Sequence, residues 1–325
     1  MFLQPIEDFA DAWIPEVDDY PSATIGMSTL DGTLYGLPAR SHVMMFYYRT
    51  DVFDALGLEV PVTWDEVVEA ARTIDASDLG VRGITMNWAQ QGGGISLIPW
   101  TNVLRAYGAD VFDEEWRPAF VTPEAIAATE MYQSLLRYAP GGAVTYNEGD
   151  MRSSFASGEA AMALAWSWSY EIFQDPQFAA VDVIENTGYT AAIPGVEGPT
   201  QPVAMTWPIG VSASSRHPGA ALEWVKWMTN PQLDERAVAQ GQTVVANRLG
   251  TFFAEEPNAA WGGFSRAMGE AFANATPLPI YVEFPEVSDV LEGALSSIAS
   301  GAEVRSTLET AAREVEGIMR RYGRY

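Results

Sequence analysis

Val43-Met44-Met45-Phe46-Tyr47-Tyr48 is followed shortly by Thr63-Trp64-Asp65-Glu66. An unbroken apolar run of this length predicts a strand covered on both faces. The second stretch has the form of a capping box: a Thr hydroxyl and a carboxylate three residues on satisfy each other's orphan amides and start a helix. Val67, Val68, Ala71 and Ile74 then recur at helical spacing. A buried strand followed by an amphipathic helix is the repeating unit of α/β layers, and the same alternation recurs outward along the chain.

Thr122-Pro123-Glu124 starts another helix, with Pro at its first position. Its predicted inner stripe is Ala127, Met131, Leu135 and Tyr138. Residues 150–157 read as a short helix closed by Gly158, and 160–168 as a strand. Residues 189–193 and 206–213 read as two further strands. A helix pair follows at 220–229 and 232–240, broken at Asn230-Pro231 and ended by Gly241. The last helix covers about 304–322, with Leu308, Ala312, Val315 and Met319 on one face and Arg320, Arg321 and Arg324 at its negative end. No linker splits the 325 residues cleanly, which is the pattern of two domains with interleaved segments.

Composition excludes several classes. Acidic residues outnumber basic ones 43 to 18, a net charge of −25. Such a chain is repelled by phosphate backbones and anionic bilayers, so nucleic acid is not an expected partner. With no Cys, thiolate chemistry and disulfides are ruled out, and with two His a His-rich metal site is ruled out. Neither metal nor cofactor is expected. No run approaches the length of a membrane span, and the first residues, MFLQPIEDFADAWIPEV, lack the charged and apolar regions of a signal peptide.

Gln91-Gly92-Gly93-Gly94 matches neither the P-loop nor the dinucleotide fingerprint. No G-x-S-x-G elbow is present, and His217 precedes a Pro at a helix start, where a surface position is expected. Paired carboxylates could serve glycoside hydrolysis, with Asp113, Glu114, Glu115, Glu148, Asp150, Glu255 and Glu256 as candidates. Most sit beside turn residues, where solvation is the default; Glu283 is the exception, flanked by aromatics.

The 11 Trp residues carry more information. Trp166 and Trp168 are two apart on a predicted strand and so share a face, which Tyr170 would extend. Trp88 ends the predicted strand at 83–87, Trp100 follows the glycine-rich turn, and Trp207 sits at another strand. Indoles at strand ends offer a stacking surface to the CH face of a sugar ring, whose hydroxyls need polar neighbours. Arg40, His42, Asn87, Gln90, Gln91 and Arg248 could supply those.

Larger blocks carry a resemblance. Asp31-Gly32-Thr33-Leu34-Tyr35-Gly36-Leu37-Pro38, Phe46-Tyr47-Tyr48-Arg49 with Asp51-Val52-Phe53, and Pro61-Val62-Thr63-Trp64-Asp65-Glu66 together resemble the family 1 extracellular solute-binding proteins of ATP-driven importers. Phe155-Ala156-Ser157-Gly158-Glu159-Ala160-Ala161-Met162, Ala192-Ile193-Pro194-Gly195 through Trp207-Pro208-Ile209-Gly210-Val211, and residues 220–228 are similar to later blocks of the same family. The resemblance implies an α/β, two-lobed periplasmic-binding-protein-like fold of type II with discontinuous lobes and hinge closure over a ligand. Lobe 1 would hold about 1–46 and 208–258, and lobe 2 about 47–207 and 259–325. Members carry a further segment before the Asp31 block, and Phe2-Leu3-Gln4-Pro5-Ile6 resembles a phrase late in that segment, so lobe 1 is expected to be incomplete.

Carried over by position, the resemblance implies ligand-binding roles for Arg40, His42, Trp168, Trp207 and Trp88 or Trp100, with Arg248 and Tyr281 as further candidates; Trp166 is a ligand-binding candidate through the face it shares with Trp168. It implies a monomeric, non-enzymatic carbohydrate-binding protein, periplasmic or lipid-anchored outside the cell, that works with ABC-transporter permease subunits. The alternatives are a glycoside hydrolase acting on a similar sugar, or a binder of a sugar alcohol, glycerol phosphate or polyamine.

Overall fold

A computed structural model describes residues 2–191, 193–277 and 281–325; Ala192, within one of the motif blocks above, lies outside them. The chain divides into two compact units. The first holds residues 1–44, 166–171 and 202–279, and the second 45–165, 172–201 and 280–325.

In the first unit the Leu37–Arg49 strand contributes its N-terminal half. It runs antiparallel to Val203–Ile209, with Arg40 opposite Trp207, Ser41 opposite Thr206 and His42 opposite Met205. A register shift between Pro38 and Arg40 marks a bulge. The Ser41 and Thr206 hydroxyls hydrogen-bond across the pair at 2.9 Å. Val203–Ile209 then pairs in parallel with the short Thr276–Pro277 strand. Pro218–Met228 packs Leu222 and Val225 on Val211, with Phe9 and Trp13 closing that core. Asn230 caps the next helix, Pro231–Ala239, as the Asn-Pro signal predicts.

This unit includes 166–171 and 259–277, which the expected lobe boundaries assign to lobe 2. The packing accounts for the difference. The Ser167 amide donates to the Val43 carbonyl, and the Glu171 carboxylate accepts from Thr243 and Val244. The Phe264 ring on the Phe264–Ala273 helix stacks on Tyr170 at 4.1 Å and 8°. An added Cβ on Gly269 would collide with the Phe252 and Phe253 side chains, so that helix lies close against its neighbour only because the position is glycine.

In the second unit, residues 46–49 of the same strand run antiparallel to Thr187–Thr190. Phe46 and Tyr47 are fully buried, and the Tyr47 ring clusters with those of Phe155 and Phe173. The capping box at Thr63 and Glu66 is present and starts Trp64–Asp75. Asn147 and Asp150 form a second one at Glu148–Ala156, and Gly158 follows with φ of +80°.

Three expectations are corrected. The Pro123–Ser134 helix buries Ala125, Ile126, Ala128, Thr129, Met131 and Tyr132, while Ala127 faces solvent. On the final helix, Val304–Arg321, Ala311 rather than Ala312 joins the buried face. The strand expected over 160–168 stops at Trp166, because turn hydrogen bonds from Tyr170 to Ser167 and from Glu171 to Trp168 fold the chain into the Ser169–Gln174 helix. Tyr170 therefore belongs to a helix and cannot extend a strand ladder from Trp166.

Candidate functional site

Five of the predicted residues come together within the first unit. Alternation along the Leu37–Arg49 strand puts Arg40 and His42 on one face, and antiparallel pairing places Trp207 directly opposite Arg40 on that same face. The His42 imidazole lies 5.3 Å from the Trp207 ring, edge to face. Trp166 and Trp168, brought alongside by the Ser167–Val43 hydrogen bond, lie 6.4 and 6.3 Å from His42. The Arg40 guanidinium carbon sits 5.9 Å from both the Trp168 and Trp207 rings, within cation–π range.

The cluster grades from sealed to open. His42 is 1% exposed, Trp166 is buried and Trp168 half-buried, while Arg40 is exposed and Trp207 is 50% exposed. Neither ring nitrogen of His42 has a hydrogen-bond partner. Burial pushes the His42 pKa down to about 3, and the Arg40 cation adds to the effect, so the imidazole is neutral at ordinary pH. A neutral imidazole offers one donor and one acceptor, and leaving both unpaired in a buried setting is unfavourable. The arrangement is an aromatic wall with an unsatisfied polar group behind it and a cation at its rim.

The other four candidates divide between the units, Trp88, Trp100 and Tyr281 in the second and Arg248 in the first. Trp100 is fully buried in the Leu97–Ala106 helix, its indole N–H donated to the Thr129 hydroxyl at 3.0 Å and its ring against Phe120. Arg248 is buried in the first unit, bonded to Asp19 and the Thr229 carbonyl, with its guanidinium 4.4 Å over Tyr20. Tyr281 packs among Phe112, Trp116 and Phe284, and burial raises its pKa. These contacts are those of packing residues.

Trp88 is buried against Tyr132 in the second unit, with its indole N–H unpartnered. Asn87 beside it is buried with an unpartnered Oδ1, while its amide donates to Gln91. Gln90 is exposed. Arg82 and Thr85 form isolated bridges to Ala160 and Ala163, and 83–87 is not a regular strand.

Sequence reasoning missed Glu292. This fully buried carboxylate on the Phe284–Ala299 helix accepts from the amides of Gly92 and Ser96 and from the Ser96 hydroxyl, and so holds the glycine-rich turn. That turn bears Gly92, Gly93 and Gly94, all at positive φ. Its only sequence signal is an acid on an otherwise apolar helix face.

Four of the acids considered for hydrolysis have structural partners. Glu283 is buried and bonded at both oxygens to Arg324, which holds its carboxyl below the usual range. Glu148 pairs with Arg152, Asp150 caps a helix, and Asp113 accepts turn amides. Among the described residues no group of three or more acids and histidines could hold a metal ion.

Comparison with known proteins agrees with the fold. Residues 1–235 match the family of bacterial extracellular solute-binding proteins. The mannitol-binding protein of Pseudomonas aeruginosa is 32% identical over 216 residues, 66% of this chain and 49% of that protein. The chain thus spans about half the length of the curated relatives it matches. A solute-binding protein from Agrobacterium radiobacter K84, solved with ribitol, superposes with a TM-score of 0.87 at 24% identity, covering 98% of this chain and 80% of that one. Maltose-bound MalE3 of Thermotoga maritima superposes at 0.86 and 23%, with the same coverage. The fold is the periplasmic-binding-protein fold that the sequence blocks imply.

Proposed function

Because the chain belongs to the bacterial extracellular solute-binding proteins, we propose that it captures a carbohydrate or sugar alcohol outside the cytoplasm for uptake by an ABC importer. One observation carries the reading: the neutral, unpartnered His42 imidazole set among Trp166, Trp168 and Trp207 with Arg40 at the rim. Indole faces offer apolar area that matches the CH face of a sugar or polyol. Arg40 and His42 would orient hydroxyls. The mannitol named for one relative and the ribitol and maltose bound by two solved structures support this ligand class. A monomer working with permease subunits, and without catalysis, is part of the same reading.

The test is a titration with sugars and alditols followed by Trp fluorescence, with chromogenic glycosides assayed in parallel. Saturable quenching without turnover is expected. Turnover abolished by replacing a single acid would refute it in favour of a hydrolase. Retained affinity in both Trp168→Ala and Trp207→Ala would refute the platform.

A further inference from the structure

Resting on that reading, we propose that the solute bound at the Arg40 platform carries an anionic head group, a carboxylate or a phosphate, on its polyhydroxylated chain. The argument is one of donors and acceptors. A guanidinium presents five N–H donors and no acceptor, and an indole N–H only donates. The single acceptor among the cluster's side chains is one nitrogen of neutral His42. A neutral polyol brings as many hydroxyl donors as acceptors, and a site built for it needs acceptors in return, most often carboxylates. Among these five side chains no carboxylate is offered. Among the described residues, no ion pair includes Arg40. Glu171, three residues beyond Trp168, is engaged by Thr243 and Val244.

The bias stands out in a chain with 43 acidic and 18 basic residues. Arg40 is held above two indoles rather than neutralised by an acid. Its N–H fork suits the paired oxygens of a carboxylate or phosphate. His42 adds no second positive charge, so the charge of the platform matches one anionic head. The overall charge of −25 opposes an anion only at range, and salt screens it within about 8 Å at physiological ionic strength. The contact itself therefore decides.

The experiment is calorimetry on the full chain with matched sets of pentose and hexose derivatives: the alditol, the aldonate of the same carbon chain, and the alditol terminal phosphate. At least one charged member should bind about tenfold to a hundredfold more tightly than its alditol, the span of a hydrogen bond to a charged group. The aldonate and phosphate arms identify which head is preferred. In Arg40→Gln the preference should fall to near unity, and Arg40→Lys should keep part of it. Arg40 is exposed, so these variants retain the fold, which circular dichroism checks. Alditols that bind as tightly as their charged counterparts, or a preference that survives Arg40→Gln, would overturn this inference and leave the uptake reading standing. Silence from every member of the sets would overturn this inference, and the sugar titration above then decides the uptake reading separately.

Discussion

Removing the His42 imidazole should remove a pH slope from the stability of the chain. The ordinary imidazole pKa of 6.5 falls to about 3 in the folded chain, chiefly through burial. Between those values the unfolded chain binds a proton that the folded chain refuses. Stability therefore rises with pH through this window, and on acidification it is lost progressively from about pH 6.5 downward. Each unit of pH within the window is worth about 1.4 kcal/mol. From pH 7 to pH 5 the wild type should lose about 2 kcal/mol more than His42→Gln, which has no proton to bind there.

The assay is urea unfolding of both proteins at the two pH values. Subtracting the variant cancels the titration of the 43 acids, which the two chains share. A His217→Asn background gives a second readout: the single remaining imidazole should keep its neutral NMR signature down to about pH 4.5. The reasoning is refuted if the two proteins lose equal stability, or if that signal titrates near 6.5. Either result would mean that water reaches the imidazole and that the unpaired nitrogens are satisfied by solvent.

Arg248→Met should cost about 2 kcal/mol in urea unfolding, because it strands the Thr229 carbonyl and a partly exposed Asp19, while solute affinity stays unchanged. An affinity loss without a stability loss would return Arg248 to the site. Glu292→Gln should destabilise by about 2 kcal/mol and speed hydrogen exchange at Gly92 and Ser96, since an amide oxygen replaces a carboxylate that receives three donors. Thr63→Ala should cost about 1 kcal/mol through loss of the capping box, and Thr63→Asn should restore most of it.

The elements legible in the sequence are those set by neighbours a few residues away. The Thr63–Glu66 box, the Asn230-Pro231 break and the Gly158 cap are all closed by local hydrogen bonds or local backbone conformation, so their residues announce them. The Pro123–Ser134 helix shows the limit. Ala125, Ile126, Ala127, Ala128 and Met131 surround its axis with apolar groups, and no single stripe is privileged until neighbouring elements select one. The stretch from Trp166 to Tyr170 fails for a related reason. Trp-Ser-Trp-Ser-Tyr alternates like a strand, yet the hydrogen bonds that turn it into a helix and the Phe264 ring that receives Tyr170 leave no trace in that alternation.

For the site, residue type was informative and position was not. Trp100 and Trp207 look alike as indoles near glycine or strand signals, yet one is sealed against Thr129 and Phe120 while the other is half exposed. What separates them is register, a long-range property. Once Arg40 is known to face Trp207, alternation alone brings His42 to the same face, and the cluster follows from strand geometry. A shift of one residue would send Trp207 to the opposite face and leave His42 beside Thr206. The bulge between Pro38 and Arg40 falls where that register changes, with Ala39 as the extra residue. Inserting one Ala between Arg40 and Ser41 would send Arg40 and His42 to opposite faces and should abolish solute binding, while the second unit, which contains neither residue, keeps its hydrogen-exchange protection. Binding that survives the insertion would show that the indoles reach the solute independently of strand register.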